Sequence, residues 1–401
     1  MKKNKPYLII ELNDDSITFL VVQYNSEGDF TVLDKLTDNS EGIKEGRVVD
    51  IESSSNVIKK NLDVIEKKIK YIFKKVTIVN NQNNFKCINV SGYKRTNGSQ
   101  ILTEDISRIL NNIKKLIVDS ETNYSLVHLF NSEFTLDNEN LKKMPIGLYG
   151  ELYNHHVTLH LMPKIDLKNL KLLFEKCHID IEKIIMKSFV KGLANIKKYK
   201  NENKIITLIN IGKKISNISI FKNSSFLYAE NFSFGTDIII KDILKLCSLD
   251  IDSVKQMFNE LVFVNLIENL QDNYLDKKYF VNVPFRKISY SHLKNIVSAR
   301  IDEIVELVYE KNINIKNLHN KNEIIYISFE DEKIKKNLEE MFKKSFVFKE
   351  SVSFCNISDN THLSPCYLAA ELIGKGWEKE AIPIAYTKKT LISRLFSTFF
   401  N

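Results

Sequence analysis

Cysteine is scarce in this sequence and scattered along it. The odd count of five cysteines and the absence of any C-x-x-C pair support neither a disulfide framework nor a zinc site. We therefore expect a protein of a reducing compartment. The cysteines are Cys87, Cys177, Cys247, Cys355 and Cys366.

Arginine is also in short supply. Only six of the 58 basic residues are arginine, set against 50 acidic residues and a formal net charge of +8. Proteins that bind nucleic acid usually concentrate arginine for bidentate contacts to phosphate or guanine. Here the lysines are spread evenly, so we interpret the charge as a mildly cationic surface and expect no nucleic-acid partner.

Long hydrophobic runs are missing as well. The apolar run Tyr7–Ile10 is cut short by Glu11, Asp14 and Asp15, which makes it too short for a signal peptide. No stretch approaches the roughly 20 apolar residues that span a bilayer. The expectation is a soluble or peripheral protein.

What the chain does contain is 401 residues, 43% of them hydrophobic, in alternating strand-like and helix-like segments. At roughly 100–200 residues per domain, this length predicts two to four domains. Residue patterns predict strands at 7–12, 16–24, 30–36, 76–79, 85–90, 205–211, 215–221, 226–230 and 323–329, and mostly strand over 124–161. They predict helices at 55–70, 166–177, 186–199 and 331–344, and mostly helix over 236–270 and 291–311. A further helix is predicted from Thr103, where Thr-Glu-Asp indicates a capped start. The last compact piece of the chain runs from Pro365 to Lys375.

A β-hairpin followed by further strand and helix occurs twice, the second time near residue 205. This repeat predicts an α/β protein built from two related halves with insertions.

Four motifs occur in a fixed order. They are Ser-Glu-Gly-Ile-Lys-Glu-Gly-Arg-Val-Val-Asp-Ile at 40–51, the segments 124–128, 134–137 and 145–150, Ala-Arg-Ile-Asp-Glu-Ile at 299–304, and the tail 389–401. In sequence, order and spacing this set resembles the bacterial cell-division family FtsA. The resemblance implies an actin-like two-lobed ATPase-domain fold with an FtsA-type inserted subdomain and a C-terminal amphipathic helix.

By this resemblance the first lobe comprises 1–82 and 164–200, and the inserted (SHS2-like) subdomain lies between these segments at 83–163. The second lobe comprises 201–230 and 311–376, the latter with a closing helix, and its own insertion lies at 231–310. A linker at 377–388 then leads to a membrane-targeting helix at 389–401.

The resemblance also implies a divisome adaptor rather than an enzyme. Such a protein tethers the FtsZ ring to the cytoplasmic face of the inner membrane at the septum. Its implied partners are FtsZ, anionic lipids, later divisome proteins and further copies of itself.

ATP with Mg²⁺ is the cofactor that the resemblance implies. The matching positions are Glu11, Asn13, Asn210, Gly212, Gly235, Arg300 and Glu303. However, the first phosphate loop reads Glu-Leu-Asn-Asp-Asp-Ser at 11–16, the second lacks the family's run of glycines at 210–217, and the adenosine loop near 328–331 has none. Phosphate loops need glycine so that backbone N–H groups can approach the phosphates. We therefore predict weakened nucleotide binding and negligible hydrolysis.

The last residues form an amphipathic pattern. At about 100° per residue, one half of the helical wheel is apolar and Arg394 lies in the polar half with Ser393, Ser397, Thr398 and Asn401. This predicts a membrane-binding helix rather than an ordinary docked terminus. Its apolar residues are Leu391, Ile392, Leu395, Phe396, Phe399 and Phe400.

Other functions remain as alternatives. The group His155, His156 and His160 suggests a metal site, but no acidic residue lies at ligand spacing, so solvent-facing or hydrogen-bonded histidines are the preferred interpretation. A sugar-kinase-like enzyme needs open glycine loops, which are missing here. A pilus-assembly actin-like protein shares the fold but lacks the terminal amphipathic helix.

Overall fold

A computed structural model describes residues 5–141, 143–199, 205–222, 225–260, 274–318, 323–329, 332–346, 352–354, 364–376 and 381–383. The chain forms two compact units. The first consists of Met1–Asn203, Phe221–Tyr228 and Thr361–Asn401, and the second of Lys204–Ile220 and Ala229–Asn360.

The first unit is built on a five-stranded sheet of order β11-β6-β1-β2-β3. Its strands are β1 Tyr7–Leu12, β2 Ser16–Tyr24, β3 Phe30–Asn39, β6 Lys75–Asn80 and β11 Asp180–Met186. β1 pairs antiparallel with β2, whereas β1 and β11 both pair parallel with β6. A small hairpin, β4 Ile43–Lys44 and β5 Arg47–Val48, precedes helix α1 Ile51–Ile69.

Apolar side chains spaced three or four apart on α1 pack against this sheet. Ile58, Leu62 and Ile65 are buried in one core with Leu8 and Ile10 of β1. Three more helices, α3 Lys164–Lys176, α4 Lys187–Tyr199 and α9 Pro365–Lys375, complete this part of the unit.

The inserted subdomain has a sheet and core of its own. Its elements are β7 Lys86–Arg95, α2 Thr103–Ser120, β8 Tyr124–Leu136, β9 Glu139–Leu141 and β10 Leu152–Pro163. Isoleucines of α2, among them Ile109 and Ile113, pack on Tyr153 and Val157 of β10. The short strand β17 Ala381–Pro383, which lies within the predicted linker, pairs antiparallel with β8.

The second unit contains most of a sheet of order β14-β13-β12-β15-β16. Its strands are β12 Ile205–Ile211, β13 Ser216–Lys222, β14 Ser225–Phe232, β15 Glu323–Phe329 and β16 Val352–Phe354. Its α-helices are α5 Thr236–Cys247, α6 Ile251–Glu260, α7 Tyr290–Val305 and α8 Glu332–Ser345. A 3₁₀ turn lies at Lys277–Tyr279, and a π-helical turn, Glu306–Glu310, continues α7.

The predicted α/β architecture is confirmed, with several local differences. Helix α1 begins at Ile51 rather than 55, because the Asp50 carboxylate accepts hydrogen bonds from the N–H groups of Glu52 and Ser53. Leu102, not Thr103, is the N-cap of α2, and the Asp105 side chain accepts from the Leu102 N–H. The part of the predicted helical segment 236–270 that lies beyond 260 is outside the described residues.

Candidate functional site

Glu11 lies near the carboxyl end of β1, where the resemblance places the first phosphate loop. Its side chain is 6% exposed and its Oε1 lies 3.0 Å from Lys187 Nζ. Asn13 bridges the pair: its Nδ2 donates to Glu11 Oε1 at 3.1 Å, and its Oδ1 accepts from Lys187 Nζ at 2.7 Å. On the other side, Cys366 Sγ lies 3.8 Å from Glu11 Oε2. Burial, and then the charge of Glu11, raise the pKa of the Cys366 thiol well above its usual value.

Asp14, in the loop after β1, contacts the motif at 40–51. The Asp14 Oδ1 accepts a hydrogen bond of 3.1 Å from the Gly46 N–H, so this carboxylate is already engaged within the unit. Gly46 has a φ of +69°, and a Cβ there would lie 2.5 Å from the backbone of Asn81. The motif therefore needs glycine both for the turn and for the close approach of the two chains.

The second predicted phosphate loop, in the second unit, packs against the N-terminus of α5. The N–H of Thr236 donates to the Gly212 carbonyl and that of Asp237 to the Lys213 carbonyl, each at 2.9 Å. A Cβ on Gly235 would lie 2.2 Å from the Gly212 carbonyl oxygen, so only glycine permits this packing. The first N–H groups of a helix commonly bind anions. In α5, the N–H groups of Thr236 and Asp237 instead have partners inside the protein.

Asn210, at the end of β12, lies beside the same loop. Its Oδ1 accepts a hydrogen bond of 2.9 Å from Ser328 Oγ, and its backbone pairs with Ser328 in the β12–β15 register. Residues 330–331 of the predicted adenosine loop are outside the described residues.

Arg300 and Glu303 form an ion pair on α7, and a third residue joins them. Arg300 Nε lies 2.5 Å from Asp242 Oδ2 on α5, and its Nη1 donates to Glu303. Hydrogen bonding to Asp242 raises the pKa of Arg300. Sequence reasoning missed Asp242, because nothing in the spacing of α5 and α7 connects the two residues before the helices pack.

Two of the three histidines of β10 are buried. His155 is fully buried, and its Nε2 lies 2.7 Å from Asn131 Oδ1. His160 is also buried, with its ring centroid 4.6 Å from that of Phe85. In the described part of the chain, no group of three or more His, Cys, Asp or Glu residues is arranged to hold a metal. The contact of His155 with Asn131 agrees with the hydrogen-bonded interpretation for this residue, whereas a solvent-facing position is wrong for both His155 and His160.

The predicted membrane-binding residues Leu391, Ile392, Arg394, Leu395, Phe396, Phe399 and Phe400 lie outside the described residues. Among the helices that are described, none is long and apolar enough to cross a membrane.

Comparison with known proteins identifies relatives. A family model described as the SHS2 domain inserted in FtsA matches residues 83–160, the inserted subdomain. The cell division protein FtsA of Bacillus subtilis is 22% identical over 313 residues, which cover 78% of this chain and 70% of that protein. FtsA of Buchnera aphidicola from Schizaphis graminum is 22% identical over 247 residues, covering 61% of this chain and 58% of that protein.

The chain therefore spans between 58 and 70% of the length of these two relatives. Among solved structures, a chain of the PilM–PilN type IV pilus biogenesis complex superposes with a TM-score of 0.57 at 9% identity, covering 92% of this chain and 98% of that one. This likeness concerns the fold alone. Together the matches confirm the resemblance predicted from the motifs: the chain is similar to the FtsA cell-division proteins and has their inserted subdomain within an actin-like α/β fold.

Proposed function

We propose that the chain is a divisome adaptor that tethers the FtsZ ring to the cytoplasmic face of the inner membrane and assembles in an actin-like manner. Its similarity to FtsA supports a role in cell division. The observation that carries the proposal is the inserted subdomain, because a separate α/β core interrupts the first lobe at the position that the FtsA-specific family model matches.

We place the FtsZ contact in the second-lobe insertion, 231–310, and propose the exposed segment 274–287 as its binding surface. Val281 is 76% exposed and Phe285 is 45% exposed. Lys277, Arg286 and Lys287 are exposed beside them, with Lys277 Nζ 5.6 Å from the centroid of the Phe285 ring. Exposed apolar side chains among cations suit a peptide that carries both apolar and acidic residues.

A pull-down with the C-terminal peptide of FtsZ tests this proposal. We expect binding at low salt, where charge attraction is least screened, and at least a tenfold loss of affinity in Arg286→Glu/Lys287→Glu. The matched control is Lys114→Glu/Lys115→Glu, which reverses two adjacent exposed lysines on α2. If the wild type captures no peptide at low salt, the proposed FtsZ contact is wrong.

Self-association through the inserted subdomain is the second part of the proposal. Ile146, Leu148 and Tyr149 are at least half exposed, on a loop fixed by hydrogen bonds between the backbones of Ile101 and Leu148 and of Gly147 and Ile101. A rigid apolar loop is suited to bind a different surface of the next copy. Such head-to-tail contacts extend into filaments.

We further propose that the chain is not an enzyme and binds nucleotide weakly. An actin-like fold suggests nucleotide binding. Three features of this chain favour weak binding: Glu11 is paired with Lys187, the first N–H groups of α5 donate to the Gly212 and Lys213 carbonyls, and Arg300 is held by carboxylates. Each of these groups already has a partner within its own unit, so a phosphate or metal ion that binds to the group must displace that partner, which lowers the affinity.

A further inference from the structure

Lys187 is placed beside Glu11 by the register of the first-unit sheet. Leu12 of β1 and Met186 of β11 both lie opposite Asn80 of the central strand β6. The carboxyl ends of β1 and β11 are therefore level, on either side of β6. Since Lys187 follows Met186 directly, it begins α4 at the same edge where β1 presents Glu11 and Asn13.

The resulting contact is buried and closely bonded. The side chain of Lys187 is 14% exposed and that of Glu11 is 6% exposed, with 3.0 Å between the charged atoms. A carboxylate buried to this degree needs a counter-charge, because an unpaired charge in a protein interior is strongly unfavourable. A divalent metal ion or an ammonium group can supply it. The additional bond from Lys187 to Asn13 Oδ1 fixes the ammonium in place.

We propose that Lys187 is a resident cation that takes the place of a divalent metal ion at Glu11. The negative charge of Glu11 is then neutralised by a residue of the same chain. The stability of the first unit therefore does not depend on Mg²⁺ or on a nucleotide that carries Mg²⁺. This inference goes beyond the proposed adaptor role, and it holds whether or not the chain binds FtsZ.

The same residues form a metal site once the ammonium is removed. In Lys187→Ala, the Glu11 carboxylate and the Asn13 amide oxygen face the space that the lysine side chain has left. Carboxylate and amide oxygens are ligands for hard divalent cations such as Mg²⁺ and Mn²⁺. The variant should therefore be less stable than the wild type and should regain stability when such an ion binds.

Thermal unfolding of the full chain tests the proposal, with MgCl₂ or MnCl₂ compared with KCl at equal ionic strength. We expect the midpoint of Lys187→Ala to fall by several degrees in KCl and to rise again in MnCl₂. The wild type and the control Lys164→Ala, an exposed lysine that begins α3, should respond equally to both salts. Electron paramagnetic resonance should show one Mn²⁺ bound to Lys187→Ala, and Glu11→Gln/Lys187→Ala should bind none.

Three results would overturn the proposal: a wild type stabilised by Mn²⁺ as much as Lys187→Ala, rescue of the double variant, or an unchanged midpoint in Lys187→Ala. If Lys187→Ala does not fold, Glu11→Gln/Lys187→Met decides, because it removes both charges while keeping similar volumes. A folded Glu11→Gln/Lys187→Met with the same midpoint in KCl and MnCl₂ supports the resident cation, whereas failure of this variant to fold, or its stabilisation by MnCl₂, contradicts the proposal.

Discussion

His155 shows how burial sets the chemistry of a single side chain. It lies inside the inserted subdomain, with its ring edge-on to Phe134 at a centroid distance of 5.0 Å. Burial, and to a lesser degree repulsion from His156, lower the pKa of His155 from 6.5 to about 4. Burial also lowers the pKa of His128 to about 4. The folded subdomain therefore keeps these imidazoles neutral at pH values where an unfolded chain protonates them.

This difference predicts that the fold loses stability in mild acid. Between pH 6.5 and about 4 the unfolded state binds more protons, so the free energy of unfolding falls as the pH falls through this window. Each such histidine contributes about 1.4 kcal/mol per pH unit. His155→Gln, which keeps a partner for Asn131, should reduce this slope, whereas the exposed control His292→Gln should not. Urea titrations between pH 7.5 and 5.5 measure the slopes, and equal slopes for His155→Gln and the wild type contradict the prediction.

At the scale of elements, a polar cluster joins the Ser40–Ile51 motif to both ends of the insertion. The Asp166 carboxylate accepts from Arg47 Nε at 3.1 Å and from Gln82 Nε2 at 2.6 Å. Gln82 is the last residue before the insertion, and Asp166 lies in the first turn of α3, just after it. Asp166 is buried, whereas Arg47 is partly exposed. Arg47 thus holds together the two chain segments that connect the inserted subdomain to the first lobe.

Asp166→Asn should loosen this connection between the inserted subdomain and the first lobe without unfolding the chain. The asparagine keeps the shape of the side chain but loses the charge-assisted bond to Arg47, at a cost of about 1 kcal/mol once solvent screening is allowed for. Hydrogen exchange of residues 80–86 should accelerate roughly fivefold. Assembly on lipid should weaken if the proposed contacts of 83–163 need a fixed orientation. Glu175→Gln, on the exposed face of α3, is the control, and unchanged exchange in Asp166→Asn contradicts the prediction.

The elements differ in how far the sequence predicts them. β1, β2, β12 and β15 are predicted to the residue, because dense apolar runs end at turn-forming or charged residues. β11 was missed, since Asp180, Glu182 and Lys183 interrupt its apolar pattern and parallel pairing with β6 stabilises it instead.

The partners in the candidate site could not be predicted either. The sequence identified Glu11, Gly235 and Arg300 through the motif matches. It did not identify Lys187 or Asp242, because each meets its partner only after distant elements pack together. The positions of the site thus stay a prediction from the motifs, whereas the charge balance at those positions is seen only in the fold.

At the scale of the whole molecule, membrane attachment is proposed to depend on assembly. The helix that the sequence predicts at 390–401 would be about 18 Å long, which is too short to be stable alone in water. Full burial of its six large apolar side chains is worth about 1.5–3 kcal/mol each, although an interfacial helix buries them only in part. Lys388, Lys389 and Arg394 each add about 1 kcal/mol on an anionic surface. Ordering the backbone costs about 1 kcal/mol or more per residue.

This balance leaves one copy bound only weakly, so rapid exchange is expected until assembly raises the effective concentration of neighbouring tails. Phe396→Asp places a charge on the apolar half of the predicted helix and should release the protein from anionic liposomes. Ser397→Asp adds the same charge on the polar half and is the matched control. The fraction of Ser397→Asp bound to liposomes should fall only slightly, because the added negative charge weakens attraction to the anionic lipid. Salt screens this effect. Co-sedimentation measures both variants, and if Phe396→Asp or a chain ending at Lys389 sediments like the wild type, the tail is not the membrane anchor.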